Sequence, residues 1–372
     1  MRTSFTRGLK FRKTCDGMPD SMELRTTRQD GKTLDEMRSG DLCVRIDRQG
    51  AEMVSIALNG AGFLYRDGQT SAPVSGWANH ATVTGYFLHR LWKEQSVYRG
   101  STIRGGDHGF LRHFEFAEPV RLSDRLAYQV NAGQIPPAAY PLKVSLTLSY
   151  RLTGSGVQVG FEFTNEEPDR DAHVSFGLHP GFAVGSVEEA RVILPPGRYV
   201  RHMASGNFLD GVTEVLDFPG GEFPYPKPGL PGSFILGIEG LENRTFRIED
   251  PQRGTALGLD FSEVPYVTFW SDSDDFLCIE PCWGFPDSNP PVAFEKKPAS
   301  KSFRPAASCV AASPSNPPFR HDHIAPRLHH PDGPRGRHDF SFRGSFRTRS
   351  RKLRGKRSGG FFGSFSVLQI KN

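Results

Sequence analysis

The sequence predicts an all-β fold, either a sandwich or a barrel, on three observations. Residues 143–152 alternate between apolar and polar side chains, which is the pattern of a strand buried on one face. The turn sequence TGSG at 153–156 leads into a second alternating segment at 157–163, so the two segments predict a β-hairpin. No stretch of a dozen residues keeps a helical apolar stripe with caps, so we expect few helices.

Further short strands are predicted on both sides of this hairpin. Gly, Pro and Asn residues separate them, as turns require. The domain that they form is predicted to cover residues 39–303 without an internal linker, after a partly disordered N-terminal extension at residues 1–38. The additional strands are expected at residues 41–47, 51–60, 173–178, 244–250, 255–261 and 265–270.

The chain changes character at Arg304. From there to the end, 14 Lys and Arg residues accompany three Asp and Glu residues, whereas the first 303 residues carry 32 basic and 38 acidic groups. The net charge of +5 therefore belongs to the last segment and says nothing about a ligand of the main domain. Because it is rich in Pro, Gly, Ser and Arg, the segment 304–372 is predicted to be a disordered basic tail.

Composition also limits the compartment and the partners. No apolar run reaches the ~20 residues that span a bilayer, and the N-terminus lacks the apolar core of a secretory signal. Five irregularly spaced cysteines suit a reducing compartment, so we expect a cytoplasmic protein.

Cys278 and Cys282 form a C-x3-C pair without a second pair at zinc-site spacing, so no metal site is predicted. Nucleic-acid binding is suggested by the basic run at 347–357, but a solvated tail is the simpler interpretation.

A single carboxylate, Glu280, stands in the apolar segment FLCIEPCWGFPD. If that segment is a strand, the side chains of Phe276, Cys278, Glu280 and Cys282 share one face. A carboxylate in such surroundings is costly to bury unless a partner or a function compensates. Glu280 is therefore a candidate catalytic residue, although a structural arginine partner would also explain it.

Two other segments supply histidines and an arginine. In SFGLHPGF, His179 comes directly before Pro180, which is predicted to end the strand where clefts open. In GGDHGFLRHFEF, His108 and Arg112 follow a Gly-rich turn. A carboxylate and an imidazole on separate strands of one concave sheet could flank a small ligand and transfer a proton at each end. Each residue alone is more often structural, so this chemistry rests on their combination.

The segments HGFLR, GLHPGF, PYVTFW and FLCIEPCWGFPD resemble the aldose 1-epimerase, or galactose mutarotase-like, family in order and spacing over residues 39–303. The resemblance implies a large antiparallel β-sandwich with a sugar cleft on one face. It also implies interconversion of the α and β anomers of a free aldohexose without a metal or organic cofactor. The sequence contains no nucleophile elbow, P-loop or dinucleotide fingerprint that would indicate another chemistry.

The same resemblance implies a role for each candidate residue. Glu280 matches the base that takes the proton of the anomeric hydroxyl, and His179 matches the acid that protonates the ring oxygen. His108 and Arg112 match substrate-binding residues, and Arg90 lies near where the family places a sugar-binding arginine.

Family members end in a further strand after the glutamate segment. Here VAFEKKPASKSFRP runs into the tail without alternation, so the closing strand is predicted to be missing.

Two alternatives stay open. The same fold acting on a hexose 6-phosphate would need two or three converging cations, for which Arg90, Arg104 and Arg112 are candidates. A sugar-binding β-sandwich without turnover would need the cleft but not the acid–base pair.

Many members of the family hold sugar hydroxyls with an aspartate. In this sequence Asp210 and Asp217 lie in the corresponding region, but neither stands in a clear motif.

Overall fold

The computed structural model describes residues 22–71, 76–154, 156–225, 234–298 and 300–304, and the backbone of 360–371. These residues belong to one unit whose helical content is four single 3₁₀ turns, at Trp92–Glu94, Leu111–His113, Ala132–Gln134 and Phe294–Lys296. Among these residues, no helix has the length and apolar character needed to cross a membrane. The prediction of an all-β fold with few helices is confirmed.

Twenty-four strands follow one another along the described chain, and every ladder between them is antiparallel. In chain order they are β1 (Glu23–Gln29), β2 (Lys32–Ser39), β3 (Leu42–Asp47), β4 (Glu52–Leu58), β5 (Ala61–Gly62), β6 (Ala81–Tyr86), β7 (Gln95–Tyr98), β8 (Ser101–Arg104), β9 (Val120–Arg121), β10 (Arg125–Val130), β11 (Val144–Thr153), β12 (Gly156–Asn165), β13 (Ala172–Ala183), β14 (Arg191–Leu194), β15 (Gly197–Ser205), β16 (Phe208–Phe218), β17 (Gly221–Glu222), β18 (Phe234–Gly237), β19 (Thr245–Asp250), β20 (Thr255–Asp260), β21 (Tyr266–Trp270), β22 (Phe276–Trp283), β23 (Lys301–Phe303) and β24 (Gly360–Lys371).

Two large sheets dominate the architecture. The nine-stranded sheet has the order β17-β14-β19-β20-β24-β12-β11-β10-β9. The eight-stranded sheet has the order β16-β15-β18-β21-β22-β13-β23, and β6 also pairs with β13. Strands β1 to β5 form a separate five-stranded sheet in sequence order, and β7 and β8 form a hairpin.

Aromatic side chains join the two large sheets face to face. Phe161 and Phe163 of β12 contact Phe176 of β13, with ring centroids 5.0 and 4.7 Å apart. Phe176 in turn stacks on Trp283 of β22 at 4.8 Å. All four side chains are buried, and every second residue of β11 is buried as well. The core therefore lies between two packed sheets, which makes the fold a sandwich rather than a barrel.

The prediction that the closing strand is missing is wrong. Strand β24 lies between β12 and β20, where it pairs with residues 157–164 of β12 and with residues 256–260 of β20. Without it, the facing edges of β12 and β20 would leave backbone groups unpaired in the middle of the nine-stranded sheet. The segment predicted as a disordered tail at 304–372 thus ends in a strand of the domain. The basic run at 347–357 lies outside the described residues.

The N-terminal boundary also differs from the prediction of an extension at residues 1–38. Strands β1 and β2 occupy residues 23–39 and extend the sheet of β3. The residues of β1, ELRTTRQ, are mostly exposed, so they show no apolar periodicity that would predict a strand. Asp35 of β2 fixes this hairpin by accepting hydrogen bonds from Thr26 at 2.6 Å and Arg48 at 2.9 Å. Residues 1–21 lie outside the described part of the chain.

Candidate active site

Neighbouring strands β6, β13, β22 and β21 carry the centre of the site. Their register places Thr82, His179, Glu280 and Thr268 in one row across the sheet. His179 Nε2 lies 3.3 Å from Glu280 Oε1. The two residues predicted as acid and base are therefore in direct contact on adjacent strands, and do not face each other across a ligand.

The prediction that Pro180 ends the strand at His179 is wrong, because β13 continues past both residues. On one side, β6 pairs with β13 through His179 and Pro180. On the other side, the ladder between β13 and β22 is interrupted around His179. Pro180 and Pro281 lie in this interval, and neither has an N–H to donate. The two prolines thus open the ladder beside the catalytic candidates without ending either strand.

Glu280 and His179 line a cavity of about 400 Å³. All five residues singled out from the sequence line it: Glu280, His179, His108, Arg112 and Arg90. The structure adds side chains that the sequence analysis did not select, namely Trp77, Asn79, Thr82, His89, Asp107, Asn207, Trp270 and Asp272.

Burial controls the protonation of the central pair. Glu280 is 3% exposed and His179 is 8% exposed. Burial raises the pKa of Glu280 well above its ordinary value. Burial, with smaller effects of His89 and Arg112, lowers the pKa of His179 to about 3. Both shifts favour the neutral forms, and in those forms the pair holds one proton, on the carboxyl, within reach of the imidazole. Such a shared, movable proton is what general acid–base chemistry requires.

His108 and His89 reach the cavity from two loops that are joined through their backbones. The His108 N–H donates to the His89 carbonyl at 2.7 Å, and both residues have left-handed backbone, with φ of 61° and 53°. At Gly109, which also has positive φ, a Cβ would lie 2.1 Å from the carbonyl oxygen of Gly85. Only glycine fits there, which explains the glycine of HGFLR. The result is a His108 ring 5.1 Å from the His179 ring, with a pKa lowered by burial and by His179.

The two guanidinium groups of the cavity differ in their partners. Arg90 is exposed and forms an ion pair with Asp107 at 3.1 Å. Arg112 is half-buried, and its side chain makes no hydrogen bond or ion pair with the described residues. An uncompensated guanidinium in a cavity is a donor for the oxygens of a ligand. Arg104, the third arginine considered from the sequence, bonds to Gln95 and does not line the cavity.

Two tryptophans form an aromatic wall beside His179. The rings of Trp77 and Trp270 lie 5.1 and 5.5 Å from the His179 ring and 5.9 Å from each other. A Cβ at Gly181 would lie 2.3 Å from the Trp77 ring, so the glycine after Pro180 makes room for this wall. An aromatic wall beside a few polar groups is typical of small-molecule sites, in which the rings contact the apolar parts of a ligand and the polar groups fix its orientation.

Asp287, at the end of FLCIEPCWGFPD, organises the rim of the cavity. It is fully buried and forms an ion pair with the buried Lys297. Its Oδ2 accepts a hydrogen bond from the Trp92 N–H at 2.6 Å, and its own N–H donates to the Arg90 carbonyl at 3.0 Å. Its carbonyl accepts from the Leu209 N–H at 2.9 Å. Asp287 therefore holds together two rim segments that are far apart in sequence.

The geometry agrees with a comparison to known families. The family model described as aldose 1-epimerase matches residues 36–305. The chain belongs to the aldose 1-epimerase family. The resemblance of its sequence motifs is thereby confirmed, and the antiparallel sandwich described above is the fold of this aldose 1-epimerase family member.

Individual relatives of this family member are distant in sequence. Protein LacX (chromosomal) of Lactococcus lactis subsp. lactis is 21% identical over 278 residues, which cover 68% of this chain and 88% of LacX. The galactose mutarotase related enzyme from Lactobacillus acidophilus superposes with a TM-score of 0.67 at 17% identity, over 94% of this chain and 96% of that one. The galactose 1-epimerase from Lactobacillus acidophilus NCFM does so with a TM-score of 0.59 at 11% identity, over 94% and 99% of the two chains. These structures share the fold of the chain.

The residues that the sequence analysis missed come mostly from loops. Asp210 and Asp217 are exposed and do not line the cavity, whereas Asp272 does. Asp272 could have been identified from the sequence, because it lies in the turn that joins PYVTFW to the glutamate strand. Trp77 and Asn207 follow no periodic pattern, and only the folded chain brings them to the site.

Proposed function

We propose that this protein is an aldose 1-epimerase that interconverts the α and β anomers of a free aldohexose by general acid–base catalysis. The observation that carries the proposal is the 3.3 Å contact between His179 and Glu280 in the cavity. The ring oxygen and the anomeric hydroxyl of a sugar are bonded to the same carbon. A catalyst of ring opening therefore needs an acid and a base side by side, which adjacent strands supply and opposite cavity walls do not.

In the proposed reaction, the Glu280 carboxylate takes the proton of the anomeric hydroxyl while the His179 imidazolium protonates the ring oxygen. The bond between the anomeric carbon and the ring oxygen breaks and leaves the free aldehyde. After rotation of the carbonyl, the reverse transfers close the ring on the other face. The pair needs one proton in total, and transfer of that proton from Glu280 to His179 across their contact generates the reactive forms. Hydrogen bonds from sugar hydroxyls favour the charged carboxylate and therefore this transfer.

The remainder of the cavity supports sugar binding. Its volume of about 400 Å³ lies within the range of about 300 to 1,000 Å³ that small-molecule sites occupy. Arg112 and His108 supply polar groups for the hydroxyls, and Trp77 and Trp270 supply the aromatic wall for the ring. No step of the proposed reaction calls on a metal or an organic cofactor.

A hexose 6-phosphate is the second candidate substrate, because Arg112 has no protein partner among the described residues. A phosphate prefers two or three converging cations. Arg90 is engaged by Asp107, and Arg104 does not line the cavity. We therefore favour the free sugar over its phosphate.

Polarimetry on freshly dissolved α-glucose, α-galactose and glucose 6-phosphate tests the proposal. We expect the protein to accelerate the approach of a free sugar to anomeric equilibrium, Glu280→Gln to abolish the acceleration, and Glu162→Gln on the exposed side of β12 to preserve it. Faster turnover of glucose 6-phosphate would favour the second candidate. Sugar binding without any acceleration would identify a binding protein, and an active Glu280→Gln variant would remove Glu280 from the role of base.

A further inference from the structure

A second set of donor atoms meets at Glu280. A ring nitrogen of His89, Cys282 Sγ and a Glu280 carboxylate oxygen all lie within 4.8 Å of one another, and all three residues are buried. An imidazole nitrogen, a thiolate sulfur and a carboxylate oxygen are the three ligand types of zinc sites in proteins. The proposed reaction uses Glu280 alone and leaves His89 and Cys282 without a role.

The spacing of these atoms suits a tetrahedral cation. Cys282 Sγ lies 3.8 Å from His89 Nε2. A tetrahedral zinc ion, with a Zn–S distance of about 2.3 Å and a Zn–N distance of about 2.0 Å, holds two such atoms about 3.6 Å apart. Thr268 Oγ1 lies 3.7 Å from the same sulfur and can orient it, as outer groups do around metal ligands. The imidazole and the sulfur therefore already lie close to a coordinating distance from each other.

The cavity provides the entry path. His89 and Glu280 line the cavity, whereas Cys282 does not. A cation that enters from the cavity meets the imidazole and the carboxylate first and reaches the sulfur next. Cys278, the other member of the C-x3-C pair, lies outside this set, because four residues along a strand span about 13 Å. The C-x3-C pair of cysteines is therefore not the candidate cation site.

We propose that His89, Cys282 and Glu280 form an inhibitory binding site for a zinc-class divalent cation. Binding would release the Cys282 thiol proton, and that of a protonated Glu280 carboxyl, to solvent, and the cation would be held by the same carboxylate that accepts the proton of a sugar. Cation binding and turnover therefore exclude each other, and the cation is an inhibitor and not a cofactor. The inhibition rests on the proposed function, whereas the binding of the cation does not.

Titration of the full chain with Co²⁺ tests the binding, because a thiolate bound to Co²⁺ absorbs in the near ultraviolet. We expect the band to saturate at one equivalent, to disappear on addition of Zn²⁺, and to be absent in Cys282→Ala. Cys278→Ala is the matched control, since both cysteines are buried on one face of β22, and it should keep the band. Cys282→Ser, which can keep a hydrogen bond with Thr268, replaces Cys282→Ala if the latter does not fold.

Inhibition is measured separately, by mutarotation in the presence of Zn²⁺. The native protein and Cys278→Ala should be inhibited at Zn²⁺ concentrations at least about 10-fold lower than Cys282→Ala, the loss expected for one ligand. A cobalt band that persists in Cys282→Ala would assign the thiolate to another cysteine and overturn the site. Equal inhibition of all three proteins would overturn the inhibitory role. A normal band in a protein without mutarotase activity would retain the cation site and refute the proposed function.

Discussion

Two buried carboxylates, Asp35 in the five-stranded sheet and Glu280 in the eight-stranded sheet, have opposite surroundings. Asp35 is 1% exposed and Glu280 is 3% exposed. Asp35 accepts hydrogen bonds from Thr26 at 2.6 Å, Arg48 at 2.9 Å and Tyr128 at 3.0 Å. Glu280 contacts one imidazole, and no lysine or arginine in the described part of the chain forms an ion pair with it.

The pKa values of the two groups move in opposite directions for this reason. Burial is the largest single influence and pushes the pKa of Asp35 upward, but hydrogen bonds from Arg48, Thr26 and Tyr128 together with the Arg48 charge outweigh it, and the pKa is lowered. For Glu280 burial acts without such compensation, and the pKa is raised. Two carboxylates with similarly low solvent exposure thus differ in role, because Asp35 is a fixed structural anion whereas Glu280 lies more deeply in the protein, lacks such donors and carries a transferable proton.

The largest expected effect is the loss of catalysis at the uncompensated pair. Glu280→Gln and His179→Gln should each lower kcat for mutarotation by about 10²- to 10⁴-fold, because each removes one proton transfer. The double variant should be about as slow as the slower single variant, since the two residues act as a unit. Polarimetry at saturating sugar measures these rates. Losses that multiply in the double variant would show that the residues act independently, and Asp35→Asn should leave kcat unchanged.

For stability the order of the two sites should be reversed, so that the substitution of Asp35 destabilises the protein and the substitution of Glu280 does not. Asp35→Asn should lower the free energy of unfolding by about 3 kcal/mol, because it leaves the Arg48 guanidinium without its buried partner. Glu280→Gln should raise it at pH 7, because the unfolded chain gains from ionising the glutamate but not the glutamine. Urea unfolding of both variants measures the two changes. The comparison fails if Glu280→Gln destabilises the protein more than Asp35→Asn does.

The pH dependence of stability separates the same two regions. Burial is the main cause that lowers the pKa of His179 to about 3 and those of His80 and His89 to about 4. The unfolded chain binds these protons near pH 6.5, so their stabilising effect is complete above pH 6.5 and is lost as the pH falls toward 4. Each lowered pKa should cost about 2 kcal/mol between pH 7 and pH 5. The lowered pKa of Asp35 adds a separate loss below about pH 4.

The contribution of Glu280 to the pH dependence of stability has the opposite sign in this pH range. Its raised pKa gives a stabilisation that is present below about pH 4.5 and lost as the pH rises through the folded-state value. Between pH 7 and pH 5, Glu280→Gln should therefore lose more stability than the native protein, and urea unfolding at several pH values measures the difference. A stability that does not change from pH 7 to pH 5 would contradict the assignment of neutral, buried histidines.

The smallest expected effect distinguishes the two cavity arginines. Arg112→Ala should raise KM for the sugar about 10-fold or more, because a charge-assisted hydrogen bond is worth about 1.5 to 3 kcal/mol. Arg90→Ala should raise KM less than about 5-fold, because Arg90 is exposed and paired with Asp107. Initial rates over a range of sugar concentrations measure both values. A larger effect at Arg90 would show that it leaves Asp107 to bind the ligand.

Local patterns predicted much of the fold, and they failed where the pattern was interrupted. Alternation at 143–152 and 157–163 correctly predicted β11 and β12. Strand β1 was not predicted because its residues are mostly exposed. Strand β24 was not predicted because residues 304–359 separate it from β23. Strand pairing between distant segments depends on partners that a local pattern does not identify.

The candidate site shows the same division. By itself, the sequence placed Glu280 on an apolar strand and His179 on another, because side chains alternate along a strand and their chemistry is explicit. Only the tertiary structure decided that these residues touch, that no arginine among the described residues pairs with Glu280, and that His89 and Cys282 adjoin it. The physical reason is that the two-residue period determines the face of a side chain, whereas register and burial determine its neighbours and thereby its proton affinity.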